Sequence, residues 1–372
     1  MKKIILSSAV FIAAYASQSL AAQASPALYA NPITSHNIGV IQHSIFNAAD
    51  TGFDMMGLHV GMRAPQQNTT TQAANNPNTH QDYTKLYGTM PMYGSMSMYG
   101  EYGDDIAIYS APGRSGGDTP IGLSTWATWQ HFADHEKFKN MRTLKTNTDL
   151  IMAGIGAIRH PMGTGHATFG AYAGYVGGDQ HNSHMDITEN AGFIGGYGAY
   201  HIGQLMASGT ITLGHQKNDI AKKFGGDDFN NTWMGLGAQT TYDILIDPTF
   251  TLQPGVYAGY TWIKSSDYTT ADIKIKNSNL HLFEITPNIR AIKHIANGWF
   301  GSLNGKYIMR FADGGEVRAN SYNLTDLDTR NYFEYGIALE KSFGALNAGI
   351  QINRRDGGRS GWNGLINIKY AF

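Results

Sequence analysis

Between residues 181 and 189 stand His181, His184, Asp186 and Glu189, side chains of the types that ligate a transition metal. Two further pairs, Asp134 with His135 and Asp179 with His181, are of the types that activate a water molecule for hydrolysis. Met90, Met92, Met96 and Met98 alternate along the chain and could offer thioethers to a soft ion such as Cu(I). Each pattern has a plainer explanation. A three-residue histidine spacing arises by chance among 14 histidines, and a loop preorganises metal ligands poorly. Alternating methionines more often pack on an apolar surface. The sequence has no cysteine, which excludes disulfides, thiolate zinc sites and thiol nucleophiles. It shows no phosphate loop, no Ser-His-Asp arrangement and no His-x-Ser on an expected strand. The expectation is therefore no catalytic residues, no metal and no cofactor, and the elements that carry these side chains become the better guide.

Those elements are set by an unusual composition. Of 372 residues only 15% are charged and 45 are glycine, against usual values of about 25% charged and about 7% glycine. With 42% hydrophobic and 12% aromatic residues the chain is not disordered. A formal charge of −1 gives no basic surplus for nucleic acid. After residue 22 no stretch approaches the ~18 consecutive apolar residues of a membrane helix. A membrane protein without such a run must cross as a closed sheet.

Three regions are expected. Residues 1–22 have the form of a signal peptide: Lys2 and Lys3 precede the apolar run Ile4 to Ala16, and small residues allow cleavage after Ala21 or Ala22. This implies export through the Sec machinery. Residues 23–120 are a passenger-like, linker or plug segment. Within it, Ile38, Ile41, Ile45 and Ala48 share one face of an expected helix over 35–49, behind the capping candidates Thr34 and Ser35. Residues 64–82 are rich in Asn, Thr, Gln and Pro, and a Tyr-Gly repeat of six residues begins at Tyr87, Tyr93 and Tyr99.

From 121 to 372 the pattern changes to runs of about ten residues with period-two alternation, separated by turn clusters. Twelve strands are expected, at about 121–133, 148–160, 165–177, 191–202, 204–216, 231–245, 250–264, 280–293, 298–312, 331–341, 345–355 and 361–372. Short turns alternate with long polar segments, as in outer-membrane barrels with short periplasmic turns and long exterior loops. The fold class is thus all-β, a twelve-stranded antiparallel transmembrane β-barrel. In its strands Ile285, Ile289, Phe333, Tyr335, Ile337, Ile350 and Ile352 take one side and polar residues the other. A charge facing lipid near the midplane costs about 2–4 kcal/mol. Glu284, Arg290, Lys306, Arg310, Glu334, Glu340 and Lys369 are therefore expected to face a wet lumen. Trp262, Trp299 and Tyr307 fit an interfacial girdle.

The terminal Tyr370-Ala371-Phe372, with Ile366 and Ile368 at alternate positions before it, resembles the signal that Gram-negative outer-membrane proteins present to the barrel-assembly machinery. Leu252-Gln253-Pro254 through Tyr260 resembles the Leu-x-Pro strand of autotransporter translocator domains, and Ser124 to Ala127 with Asp149 to Gly156 resembles that domain's first hairpin. The resemblance covers residues 121–372. It implies a monomeric barrel in the lipid of a Gram-negative outer membrane that anchors, and helps to translocate, its own N-terminal segment. Two departures stand out: only about 100 residues separate the leader from Ile121, and Pro112, Gly113, Gly116, Gly117 and Pro120 exclude a helix directly before the first strand. Either the helix near 35–49 threads the pore with an insertion after it, or the barrel stands alone. A passive porin-like channel and an adhesive or enzymatic barrel acting through exterior loops are the alternatives.

Overall fold

The computed structural model describes residues 34, 35, 37–42, 44, 45, 96–99, 105–108 and 122–372, apart from 138–142, 184, 271, 272, 321, 324–328 and 344. The expected leader, the Asn/Thr/Gln-rich stretch at 64–82, Ala48, Met90, Met92 and His184 lie outside the described residues. Twelve long strands form the wall: β1 (Gly122–Glu136), β2 (Leu144–Met162), β3 (Gly165–Asn182), β4 (Met185–Ile202), β5 (Leu205–Ile220), β6 (Asp228–Tyr242), β7 (Phe250–Ser265), β8 (Leu280–Ala296), β9 (Trp299–Gly314), β10 (Tyr332–Phe343), β11 (Leu346–Gly357) and β12 (Arg359–Ala371). Each pairs antiparallel with the next, and β12 closes on β1 from Arg359↔Glu136 to Ala371↔Ser124. Closure leaves no open edge, the condition for a sheet in lipid.

The sequence builds this wall by alternation. Along β12, Trp362, Ile366, Ile368 and Tyr370 are exposed while Asn363, Asn367 and Lys369 are buried. Exposed Leu123 and Trp129 on β1, and Phe169 and Tyr175 on β3, give way further along the same outer face to His131, Asp179 and His181. The apolar outer band therefore ends at Trp129 and Tyr175, and the strands run on past it. Strands of 12 to 19 residues exceed the ~9–11 that a tilted crossing needs.

This overrun corrects the expected loops. Of the polar segments, 178–190 is largely strand, and 134–136, 144–147, 216–220 and 228–230 also belong to the wall: β3 and β4 are separated only by residues 183 and 184, and β11 and β12 only by Gly358. Polar composition there reflects water on both faces of the sheet, not an absence of pairing. The two longest loops also pair. Tyr268–Thr270, Ile273–Asn277, Val317–Ala319 and Tyr322–Asn323 form a four-stranded ribbon beyond the wall, with Tyr268, Ile273, Ile275 and Val317 buried and Lys274, Lys276 and Arg318 exposed. Tyr268 stacks on Phe229 at 4.8 Å and ties the ribbon to the mouth.

Three local details show how the wall tolerates its breakers. Asn297 (φ 48°) and Gly298 (φ 74°) turn β8 into β9 with both central residues left-handed, the two-residue geometry that matches strand twist. Pro254 pairs with Ile289 on β8, but the β6 ladder begins only at Gly255, so its missing N–H falls at a break. Gln253 Nε2 bridges that break by donating to Asp243 Oδ1 at 2.8 Å. Pro287 sits likewise where the β8–β9 register skips from Ile285↔Met309 to Asn288↔Lys306.

Candidate functional site

The bore of the barrel is occupied. The described residues between Thr34 and Ile45 are helical and make up α1, and all are no more than 5% exposed except Gly39, which is intermediate. The apolar stripe Ile38, Ile41 and Ile45 places the helix as the spacing predicts, and these residues join Trp126, Leu150, Phe193, Trp233, Leu280 and Leu282 in one core. The polar face is buried too, because inside a bore every face meets a wall. Asn231 Nδ2 donates to Thr34 Oγ1 at 3.4 Å, and Arg359 Nη1 donates to Asn37 Oδ1 at 3.5 Å. Ser35 and Ser265 hydroxyls lie 3.4 Å apart, and Gln42 Nε2 donates to Thr212 Oγ1 at 3.2 Å. A helix of this length is marginal alone in water. Its stability comes from these walls.

Room for α1 is made by glycines that let aromatic rings lie flat on the inner surface. A Cβ on Gly154 would come within 2.6 Å of the Trp126 ring, and one on Gly174 within 2.7 Å of Phe193. Gly195 stands in the same relation to Tyr172, and Gly214 to Trp233. Trp126 Nε1 donates to the Tyr197 hydroxyl at 3.1 Å, and Tyr172 stacks near Tyr197 at 6.3 Å. In the sequence, Gly170, Gly174, Gly195, Gly196 and Gly198 leave both faces of their strands without strong character. The missed signal was pairwise, since each glycine meets an aromatic residue on the neighbouring strand: Gly154 faces Tyr172 across the β2–β3 ladder but lies under Trp126 of β1.

The seven charged residues singled out above are placed as follows. Glu284, Arg310, Glu334, Glu340 and Lys369 are all buried at 8% exposure or less, while Arg290 and Lys306 retain 14% of their side-chain surface. Arg290 Nη2 pairs with Glu340 Oε1 at 2.7 Å, and Lys306 Nζ lies 3.7 Å from Glu334 Oε1. Arg310 Nη1 reaches Glu136 Oε1 at 3.3 Å. Arg355 and Arg359, absent from the sequence reading, complete the cluster. Arg355 bonds Glu334 Oε2 at 2.7 Å and Asp134 Oδ2 at 2.6 Å, and Arg359 Nε donates to the same Asp134 oxygen at 2.7 Å. Arg359 fell in a segment expected to be a polar loop, and Arg355, though on the expected strand 345–355, takes its meaning from Asp134, 221 residues away. Ile366, Ile368, Tyr370 and Phe372 are exposed on the outer face, from the level of Trp129 down to the short-turn rim.

The hydrolytic and metal candidates are dispersed. Asp134 is held by two arginines, while His135 is exposed on the opposite side of β1. Glu189 points inward and accepts from Gln180 Nε2 at 2.6 Å and Gln216 Nε2 at 2.8 Å, whereas His181 and Asp186 lie outside and Asp186 pairs with Lys223. The pleat separates what the linear spacing joined, and no group of three metal-type side chains converges among the described residues. In the turn between β6 and β7, the Thr249 hydroxyl and N–H both donate to Asp247 Oδ1 at 2.7 Å and hold that carboxyl below its usual range.

Comparison with known proteins agrees with this geometry. A family model for the autotransporter β-domain matches residues 124–362. No curated protein gives a match. Among solved structures, the transport unit of the autotransporter AIDA-I from Escherichia coli aligns with a TM-score of 0.58 at 17% identity, over 68% of this chain and 90% of that one. The translocator domain of the autotransporter NalP from Neisseria meningitidis gives 0.56 at 15%, over 70% and 90%. The β-domain of the Bordetella autotransporter Brka gives 0.54 at 14%, over 68% and 100%. At these identities the likeness is one of fold.

Proposed function

Starting from the fact that this chain belongs to the autotransporter β-domain family, an outer-membrane translocator barrel of Gram-negative bacteria, we propose that it carries the chain upstream of α1 across the membrane and then anchors it at the cell surface. The observation behind this reading is α1 itself, seated in the bore with Thr34 and Ser35 against Asn231 and Ser265 at the loop-rich mouth. A helix held there by side chains of opposite walls is what remains when an extended segment has been drawn through and the last stretch has stayed. The polar bore suits passage, because it offers hydrogen bonds to an unfolded backbone that lipid cannot.

The seven charged residues act in this reading as the wet lining that fixes α1 and excludes free passage of solutes, rather than as catalytic groups. Ile366, Ile368, Tyr370 and Phe372 serve as the barrel-assembly signal, and residues 1–22 as a leader removed after Ala21 or Ala22. The protein works as a monomer, with lipid and the assembly and Sec machineries as partners and no cofactor.

Planar-bilayer recording tests the plug: protein lacking residues 23–120 should give larger and steadier openings than the full chain. Equal conductance would reject it in favour of a passive channel. An epitope inserted after Ala27 should be reached by antibody on intact cells, and its protection there would reject delivery to the surface.

A further inference from the structure

Glu189 stands apart from the other carboxylates of the bore by its company. Asp134 is held by Arg355 and Arg359, Glu136 by Arg310, Glu334 by Arg355 and Glu340 by Arg290. Glu189 lies near the loop-rich end of β4 and is 0% exposed, yet the groups bonded to it are all neutral. Gln180 Nε2 and Gln216 Nε2 donate to its Oε2 at 2.6 and 2.8 Å, and Thr148 Oγ1 donates to Oε1 at 3.3 Å. Arg359, whose charge acts on Glu189 from farther off, is itself bound to Asp134 at 2.7 Å. A carboxylate taken out of water without a counter-charge in contact is strongly disfavoured.

A second anomaly surrounds the same side chain. Gln180 Oε1, Asn218 Oδ1, Asn231 Oδ1 and Thr146 Oγ1 are buried without a hydrogen-bond partner among the described residues. Each belongs to a side chain that touches Glu189 or adjoins it in the ladder. Gln180 bonds it directly, and Thr146 is the register partner of Gln180. Asn218 is the register partner of Glu189 across β4 and β5, and Asn231 donates to Gln216 at 3.5 Å. On the other side Gly178 faces Glu189 and keeps the row clear, since a Cβ there would come within 2.9 Å of Thr148 Oγ1.

Buried polar atoms are normally satisfied, so orphaned oxygens gathered around one carboxylate point to a common partner. A water molecule brings hydrogens but no charge. A proton on Glu189 would serve one of the oxygens and leave the others. A cation answers the carboxylate and the oxygens together. We propose that Glu189, Gln180, Asn218 and Asn231, with Thr146 and Thr148, bind a calcium ion inside the mouth of the barrel. Every donor is an oxygen, which favours a hard cation over zinc or copper. Calcium accepts about six to eight oxygens in irregular geometry, whereas magnesium demands a tight octahedron. With a single carboxylate the affinity should fall at about 10⁻⁴ to 10⁻³ M, as in extracellular calcium modules. The donors come from consecutive strands, β2 to β6, and Asn231 also donates to Thr34, so the ion ties this side of the wall to the N-terminal end of α1.

The test uses the full chain refolded in non-ionic detergent, free of lipopolysaccharide, stripped with EDTA and returned to millimolar CaCl2, MgCl2 or NaCl at matched ionic strength. Calcium should raise the temperature at which the fast-migrating gel band is lost by several degrees, magnesium should raise it less, and sodium should leave it unchanged. Radioactive calcium should be retained at a single ion per chain. Glu189→Gln keeps the volume and removes the charge, so it should be at least as stable as the wild type in EDTA and lose the calcium shift. A merely structural Glu189 would instead show an equal loss of stability with and without calcium. Asn218→Ala should weaken calcium binding roughly ten-fold or more by removing a ligand. Equal melting of the wild type in calcium and EDTA would overturn the proposal, as would a shift that sodium reproduces or that persists in Glu189→Gln. If Glu189→Gln does not fold, unchanged calcium retention in Asn218→Ala, or none in the wild type, overturns it equally.

Discussion

Arg355 shows what a single buried charge does in this wall. It is 1% exposed at the side chain, lies between Asp134 and Glu334, and sits 4.9 Å over the Phe132 ring. Removing one partner of a buried ionic group typically costs about 3–5 kcal/mol, because the others remain buried without compensation. Arg355→Met should lower the temperature at which the folded, fast-migrating gel band is lost, and adding Asp134→Asn with Glu334→Gln should recover part of that loss. If the triple variant is no more stable than the single one, the network is not the cause. Gly154 makes the complementary point about volume. Gly154→Val must displace Trp126, which would lose its bond to Tyr197, at a cost of about 1–3 kcal/mol for overpacking. A red shift of tryptophan emission should report the displaced ring. The expectation for the charged residues of β8 to β10 came from alternation alone, whereas Arg355, Arg359 and the ring-bearing glycines give no such local signal, because their meaning depends on a neighbour on another strand: Asp134 and Arg355 are 221 residues apart.

At the scale of elements, α1 and the outer ribbon were read unequally well. The Ile38, Ile41 and Ile45 spacing announces a helix, but an amphipathic stripe normally leaves one face in water, and here the enclosing wall buries both. An acidic residue in that stripe should expel the helix without opening the sheet. Ile41→Asp is expected to raise single-channel conductance toward that of the protein lacking 23–120 while the folded gel band persists; loss of the band would mean that α1 also holds the wall together. The ribbon falls in segments expected to be loop, although Ile273-Lys274-Ile275-Lys276 alternates, since strands of two to five residues fall below what periodicity can separate from chance. Burial and the nearby Asp227 raise the Tyr268 phenol above its ordinary value. A neutral form favoured by the fold keeps the ribbon fully stable below the unfolded phenol's pKa of ~10, and that stability declines as pH rises beyond it. Tyr268→Phe keeps the stack on Phe229 and should abolish the alkaline loosening, followed by hydrogen exchange of the ribbon amides.

For the whole molecule, an outer surface carrying Ile337, Leu303, Ile194 and Phe372 in the open requires lipid or detergent, and the protein should fractionate with envelopes and migrate faster unheated than boiled. Free solubility of the refolded protein would contradict the barrel. The amino-acid order by itself determined this much: period-two alternation and turn residues state the number of strands, their order and, outside the glycine-rich second to fourth strands, which side is apolar, because those are local properties with a two-residue repeat. Only the closed structure decided the rest. It showed that the polar segments beyond the bilayer continue the sheet, that rings settle on glycines of adjacent strands to clear the bore, and that α1 fills it with its N-terminal end at the loop-rich mouth. Each of these arises when β12 meets β1 and opposite walls come within reach of one another, a relation between residues hundreds of positions apart that no local pattern records.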